Sequence, residues 1–235
     1  MVLYDFDAAP PYEGWSSYSP FVMLVERALR VAGVSFAHER VSFPKIKQIN
    51  PLGQLPVLRV GEELVRDSTV ILHRIEALAP ESLTRGLDAG ARAEAWLWEE
   101  FGDTALYPLV LATRWADERG WAHVRQAFFG SLPAPLRAVI APIVRRGVMR
   151  SLHGRDHLRG GLEALEARVA RVLEHLEARA PEAGFWLGAA PSVADLGLFA
   201  HLHALRMPAT PWRAEEVARR ARLAAWLDRV DAATR

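Results

Sequence analysis

A proline stands at the start of an apolar run in the segment Asn50–Leu58, and this position constrains the fold more than any other feature. Residues 57–60 have the composition of a short strand, and the chain then turns back into a second apolar pair at 64–65, so the segment predicts a β-hairpin. Because proline cannot donate a hydrogen bond to a strand ladder, Pro56 must lie at the beginning of a strand, at a sheet edge or at a bulge.

The isomer of the Leu55–Pro56 peptide bond determines what this hairpin can bind. We predict the cis isomer, in which the amide and carbonyl of Leu55 are turned outward and can pair with an extended ligand as another strand would. The alternative is a trans proline that only opens an edge strand. A trans bond would remove the predicted ligand cradle.

Composition and charge exclude several functions. Lys and Arg number 29 against 28 Asp and Glu, so a formal charge of +1 gives no overall field that would attract nucleic acid or an anionic membrane. With no cysteine, the chain cannot use disulfides, thiolate zinc sites or a cysteine nucleophile. His201 and His203 are two apart on a predicted helix and face different sides, so the histidines predict no metal site.

The N-terminus carries Asp5 and Asp7 where a signal peptide would be basic, and no apolar run approaches the roughly 18 residues typical of a membrane span. We therefore expect a cytoplasmic protein without a membrane partner.

The first 79 residues alternate strand and helix patterns. The pattern predicts a strand at 2–6, a loop at 8–17, a helix from Ser19-Pro20 to about Ala32, a strand at 34–41, an irregular segment or single helical turn at 42–49, the hairpin, and a helix from Asp67 to about Leu78. This order is that of a thioredoxin-like domain, which we assign to residues 1–79.

The remainder predicts helices alone. Residues 80–90 have the composition of a linker, and helical patterns follow at 91–121, 134–149, 162–180 and 192–205. The expected architecture is thus an α/β thioredoxin-like domain followed by an all-α helical bundle over residues 91–235.

Ser19 is the first candidate for chemistry. A serine that precedes a helix beginning with proline lies where unpaired backbone amides and the positive end of the helix dipole converge, and a thiol bound there would be stabilised as thiolate. Its hydroxyl would donate a hydrogen bond to the sulfur. The alternative is that Ser19 is only a helix cap. Other hydroxyls could serve instead, namely those of Tyr4, Tyr12, Ser17 and Tyr18.

Asp67 and Ser68 form the second candidate. At the start of a helix, Ser68 can offer its amide and hydroxyl to a carboxylate, while Asp67 can bind an ammonium group. An α-amino acid carries both groups. The alternative is an aspartate cap followed by an ordinary serine. A third polar motif, Ser192-Val193-Ala194-Asp195, predicts a capping box, and we assign Asp195 a structural role.

Several of these motifs resemble those of the glutathione transferase superfamily. The sequence Asn-Pro-x-Gly-x-hydrophobic-Pro at 50–56, the pair Asp67-Ser68 and the motif at 192–195 match it, and the resemblance covers essentially the whole chain. It implies that the glutathione thiol attacks an apolar electrophile in a detoxifying reaction, without a metal, in a homodimer. It implies Ser19 as the catalytic hydroxyl. The implied contacts to glutathione are Phe21, Gln54, Leu55, Pro56, Asp67 and Ser68.

The sub-class is a separate question. Ser19-Pro20-Phe21 resembles the serine motif of plant tau-class transferases. The metaxin and failed-axon-connection branch is resembled instead by the long loop before Ser19, the pair Asp67-Ser68, Arg114-Trp115 and the turn at 154–157. Two hypotheses follow. The protein is a glutathione transferase, or it is a non-catalytic module of the same fold that binds or scaffolds a partner, as in metaxins.

Overall fold

A four-stranded mixed sheet forms the core of the N-terminal domain. The computed structural model describes residues 1–7, 10–12, 14–42, 45–130, 132–155 and 157–235. The strands are β1 (Val2–Phe6), β2 (Ala37–Val41), β3 (Val57–Val60) and β4 (Glu63–Arg66), in the order β2-β1-β3-β4. Strand β1 runs parallel to β2 and antiparallel to β3, which is antiparallel to β4.

Three helices complete this domain: α1 (Pro20–Val31), α2 (Ile46–Ile49) and α3 (Ser68–Leu78). Helix α1 begins at Pro20 because Ser19 caps it, and most of its length is buried. The domain has the thioredoxin-like arrangement expected from the sequence, and the irregular segment at 42–49 contains the single turn α2, with residues 43 and 44 outside the described part.

The second strand is shorter than the predicted 34–41. The amide of Val34 donates to the carbonyl of Leu29 at 2.9 Å, so residue 34 completes the end of α1 instead of joining the sheet. Of the five residues in β2 only Val41 is buried, and this strand lies at the sheet edge. The alternation at 34–41 therefore did not reflect one buried face.

The second domain is all-helical. Its helices are α4 (Ala89–Phe101), α5 (Tyr107–Trp115), α6 (Glu118–Phe129), α7 (Ala134–Gly154), α8 (Gly161–Arg179), α9 (Val193–Leu205), α10 (Pro211–Ala218) and α11 (Ala221–Thr234), with a π-helical turn at Gly102–Leu106. Helix α9 is buried along its whole length and forms the centre of the bundle. Helices α10 and α11 were not predicted.

The segment predicted as helical at 91–121 is helical, but it is divided into separate elements. The chain forms α4, the π-helical turn and α5, and it then turns at Asp117, whose carboxylate accepts the amide of Arg119 at 2.8 Å and caps α6. At the π-helical turn, a Cβ on Gly102 would lie 3.0 Å from the carbonyl oxygen of Gly197, so the turn and α9 approach closely there. Periodicity alone does not show such breaks.

Helices α6 and α7 share a small hydrophobic cluster of their own. Trp121, Val124, Phe129 and Ala141 are buried together, apart from the main core. In the described part of the chain, no helix is both long and apolar enough to cross a membrane. Asp156, in the predicted turn at 154–157, lies outside the described residues.

Candidate functional site

The sheet register brings the predicted site segments to one end of the sheet. Tyr4 of β1 pairs with Val57 of β3, which pairs with Arg66 of β4. The next residues outward are therefore Asp5, Pro56 and Asp67. Two of the predicted segments, 54–56 and 67–68, are thus neighbours.

Asp5 connects this end of the sheet to Ser19. Its buried carboxylate accepts a hydrogen bond from the Ser17 hydroxyl at 2.8 Å, and the Ser17 oxygen accepts the amide of Ser19 at 3.0 Å. His38 and Arg40 of β2 also lie beside the Asp5 carboxylate, at 3.2 and 3.5 Å. The sequence reasoning missed this role, although an aspartate is unusual inside a strand and was a signal.

Ser19 is the N-cap of α1. Its oxygen accepts the amide of Val22 at 3.4 Å, and the residue is only 8% exposed. Among the described residues, none accepts a hydrogen bond from the Ser19 hydroxyl, so this O–H remains able to donate to a ligand. The Ser19 oxygen can accept the amide of Val22 while its O–H donates to a ligand, because a hydroxyl can accept and donate at once.

The competing hydroxyls have different surroundings. That of Ser17 already donates to Asp5. Tyr4 belongs to the hydrophobic core. Tyr18 is half-buried, its pKa is raised mainly by burial, and its backbone carbonyl accepts a hydrogen bond from Arg114 at 2.5 Å. Burial lowers the pKa of Arg114 to about 10, which leaves the guanidinium charged at neutral pH.

The Leu55–Pro56 peptide bond is cis, which confirms that prediction. Leu55 and Pro56 are buried, whereas Gln54 is exposed. Asn50 holds the preceding loop, because its side-chain amide donates to the carbonyl of Gln54 at 2.9 Å while its oxygen accepts the amide of Leu52 at 3.1 Å. The asparagine of the Asn-Pro motif is thus a brace for the segment that leads into β3.

Asp67 adopts a conformation that few non-glycine residues take. Its φ angle is +77°, and its carboxylate accepts the amide of Val70 at 3.2 Å as the cap of α3. The exposed Asp67 and the buried Ser68 stand together at the start of this helix. A backbone held at positive φ costs roughly 1–3 kcal/mol, and such positions concentrate at functional sites.

Phe21, in the first turn of α1, faces the helical domain. Its ring centroid lies 4.5 Å from that of Tyr107, the first residue of α5, and 5.2 Å from that of His201 in α9. Burial raises the pKa of Tyr107. Phe21 therefore joins the two domains beside Ser19.

The carboxyl groups of Glu99 and Asp103 lie beside Thr69, the residue that follows Ser68. The Thr69 hydroxyl donates to Glu99 at 3.1 Å and stands 3.5 Å from Asp103, whose other oxygen is 3.1 Å from the buried His201. Burial, reinforced by the charge of Asp103, raises the pKa of Glu99 to about 8. Glu99 therefore carries a proton at neutral pH. No local sequence pattern predicted this cluster, because Thr69, Glu99 and His201 are far apart in the chain.

The Glu99 carboxyl predicts how stability depends on pH. Its pKa is raised from 4.5 to about 8 in the folded state, so its contribution is full below pH 4.5 and is lost as pH rises to about 8. We expect the free energy of unfolding of the wild type to fall over this interval relative to that of Glu99→Gln, with urea titrations as the measurement. The matched control is Glu100→Gln, at an exposed position on the same helix, and an equal effect there would contradict the assignment.

Comparisons with known proteins agree with this fold. Residues 20–120 match the glutathione S-transferase N-terminal domain family, and residues 151–229 match the glutathione S-transferase C-terminal domain family. Together the two segments cover more than half of the chain.

Relatives and solved structures extend the match. Protein LigF of Sphingobium sp. is 26% identical over 93% of this chain and 86% of its own length. Mouse metaxin-2 is 25% identical over 67% of this chain, and the match spans 60% of metaxin-2.

The crystal structure of the beta-etherase LigF superposes with a TM-score of 0.65 at 22% identity, covering 98% of this chain and 94% of that one. A glutathione S-transferase I bound to lactoylglutathione gives a TM-score of 0.59 at 20% identity, with 98% of each chain covered. These likenesses establish a shared fold. With the two domain matches in their expected order, the chain belongs to the glutathione S-transferase superfamily.

Proposed function

We propose that the protein is a glutathione transferase in which Ser19 activates the glutathione thiol for attack on an electrophilic small molecule. One observation carries the proposal: the Ser19 hydroxyl, which caps α1, has no acceptor among the described residues. Hydrogen bonds from Asp5 through Ser17 hold Ser19 at the end of the sheet where residues 54–56 and 67–68 also lie. The helix dipole and the donated hydrogen bond would both favour the thiolate.

The γ-glutamyl end of glutathione would lie at the start of α3. Its carboxylate would accept from Ser68, its ammonium would bind Asp67, and the backbone of Leu55 would pair with the peptide part. Phe21 and Gln54 would complete the contacts. The exposed carboxylate of Asp67 keeps one oxygen beyond the one that caps α3.

Calorimetric titration with glutathione tests the proposal. We expect saturable binding to the wild type and a dissociation constant about tenfold or more higher for Asp67→Asn, which keeps the cap but loses the charge for the ammonium. Asp88→Asn is a matched control, because Asp88 caps α4 through the same type of bond to the amide of Ala91. Wild-type protein that binds no glutathione would defeat the proposal.

The similarity to LigF supports an ether as one class of electrophile. The glutathione sulfur would form a bond to carbon while the carbon–oxygen bond breaks, and the oxygen would leave with the electron pair and take up a proton. The reaction would be detoxifying if the ether or other electrophile is harmful, and it would take place in the cytoplasm.

A non-catalytic binding or scaffolding module is the second candidate, because mouse metaxin-2 matches two thirds of the chain. The two candidates differ in one result. A wild type that shows no thiolate absorbance with glutathione saturating would favour the module.

We also expect a homodimer. Val70 of α3 and Leu97 of α4 are 53% and 70% exposed, and the two helices are joined by the stack of His73 on Trp96 at 4.0 Å. Large apolar side chains this exposed on neighbouring elements are typical of an interface. Sedimentation should give about twice the chain mass of 26.2 kDa, and Leu97→Glu should return it to that of the monomer. Leu162→Glu, at a 44% exposed position on α8, is the control and should leave the dimer intact.

A further inference from the structure

Helix α7 exposes apolar and basic side chains along one line. Leu136, Val139 and Ile143 are 47%, 58% and 58% exposed, and Arg146 and Arg150 are exposed further along the helix. These five positions are spaced three or four residues apart, so they lie on one face of the helix, over a length of about 21 Å. We call these five side chains the α7 face.

The α7 face is not the one that holds the helix against the rest of the protein. Ala141 is buried in the small cluster with Trp121, against which Ile140 and Val144 also pack, and Leu152 is buried in the main core. By helical spacing these positions lie on the other side of α7. The α7 face is therefore left outside the core, although a surface helix is usually polar on its outer side.

The formal charge of +1 predicts no general attraction to anionic surfaces, but the charges are unevenly distributed. Residues 119–155 contain seven arginines and neither aspartate nor glutamate, so the rest of the chain is net negative. In the part of the chain that the structure describes, Arg146 and Arg150 form no ion pair with a carboxylate, whereas the less exposed Arg145 pairs with Glu118 at 2.6 Å. The positive charge of the α7 face is thus available to a partner.

We propose that the α7 face binds the surface of a membrane that contains anionic lipids. The helix lies along the surface, with its three aliphatic side chains below the headgroups and Arg146 and Arg150 on the lipid phosphates and carboxylates. The binding is peripheral, with α7 lying on the bilayer and not crossing it. The α7 face falls between the two segments that match the family domains, and the inference goes beyond the proposed transferase function without depending on it.

The combination of side chains favours a lipid surface over other anionic partners. Proteins that bind single-stranded nucleic acid interleave basic side chains with aromatic rings on which bases stack, and α7 contains no Phe, Tyr or Trp. Aliphatic side chains are stabilised by leaving water for acyl chains, and arginines by anionic headgroups. An anionic bilayer is the partner that accommodates both halves of the α7 face, because the strength of such binding depends on buried apolar area together with charge.

Co-sedimentation of the full chain with vesicles tests the inference. We expect binding to a two-to-one mixture of phosphatidylcholine and phosphatidylserine, little binding to phosphatidylcholine alone, and weaker binding as salt is raised, because salt screens exposed charges. Arg146→Gln combined with Arg150→Gln should weaken binding to the mixed vesicles at least about tenfold, since each arginine near an anionic surface contributes roughly fivefold. Ile143→Gln should weaken it about fivefold through the lost apolar contact.

Matched variants separate the α7 face from net charge and from general hydrophobicity. Arg171→Gln combined with Arg219→Gln removes the same two charges at exposed positions of α8 and the end of α10. Leu162→Gln removes an exposed leucine of α8. Both controls should bind the mixed vesicles as tightly as the wild type does.

A wild type that binds the mixed vesicles no better than phosphatidylcholine would overturn the inference, as would an equal loss of binding in either control. Without vesicles, a lower sedimentation mass for Ile143→Gln than for the wild type would also overturn it and assign the α7 face to a second copy of the chain. Failure of the proposed activity gives a different result. A wild type that binds mixed vesicles through the α7 face but binds no glutathione would sink the transferase alone.

Discussion

Ser19→Ala is expected to lower turnover with 1-chloro-2,4-dinitrobenzene by one to two decades. The loss of one hydrogen bond to a charged sulfur costs about 1.5–3 kcal/mol, which corresponds to this change in rate. The pKa of the bound glutathione thiol should rise, while the affinity for glutathione stays nearly unchanged because Asp67, Ser68 and Leu55 hold the rest of the molecule. Ultraviolet titration of the thiolate and steady-state kinetics measure the two effects.

A helix cap alone would behave differently. Ala at a cap position costs about 0.5–2 kcal/mol of folding stability and leaves the thiolate pKa as it was. Asp88→Ala provides the comparison, because it removes the cap of α4 and should lower the melting temperature without changing turnover. If Ser19→Ala melts earlier but ionises bound glutathione normally, Ser19 is only a cap, and Tyr18, Ser17 and Tyr4 become the variants to measure.

Asp195→Ala is expected to produce the largest loss of stability, about 3–5 kcal/mol. The Asp195 carboxylate is completely buried and accepts four hydrogen bonds: from the amide of Trp186 at 2.7 Å, the amide and hydroxyl of Ser192 at 3.0 and 2.9 Å, and the indole of Trp226 at 3.0 Å. Alanine would leave these donors without their acceptor. The melting temperature should fall by roughly 10 °C.

The same carboxylate shows why the effect is structural. It ties the start of α9 to the loop before it and to α11, and burial raises its pKa despite these four donors. Protein that remains folded should therefore keep the thiolate pKa of bound glutathione. A change of less than 1 kcal/mol in the urea-derived free energy of unfolding would contradict this role, as would a normal melting temperature with lost activity.

The sequence predicted most of the fold wherever a local signal existed. Pro20 after Ser19, Asp67 before its helix and the Ser192–Asp195 box each marked a helix start through groups three or four residues apart, and the structure has a helix at all three. Pro56 marked the start of β3. The prediction failed at 34–36, where the chain completes the end of α1 before the strand begins. It also missed the breaks within 91–121, because a helix period does not reveal a break imposed by a neighbouring helix.

Local sequence patterns predict the segments of the candidate site, whereas the packing of the folded chain establishes how these segments meet. Asp5 with Ser17, Thr69 with Glu99 and Phe128 with Tyr18 are 12, 30 and 110 positions apart, and nothing in a single sequence pairs residues at such distances. Their contacts follow from the register of β1, β3 and β4 and from the packing of α4 and α6 against the first domain. Capping and turns depend on residues a few positions apart, which a sequence shows directly. Burial, the pKa of Glu99 and the contact of Phe128 with Tyr18 depend on which surfaces pack together, and only the folded chain establishes that.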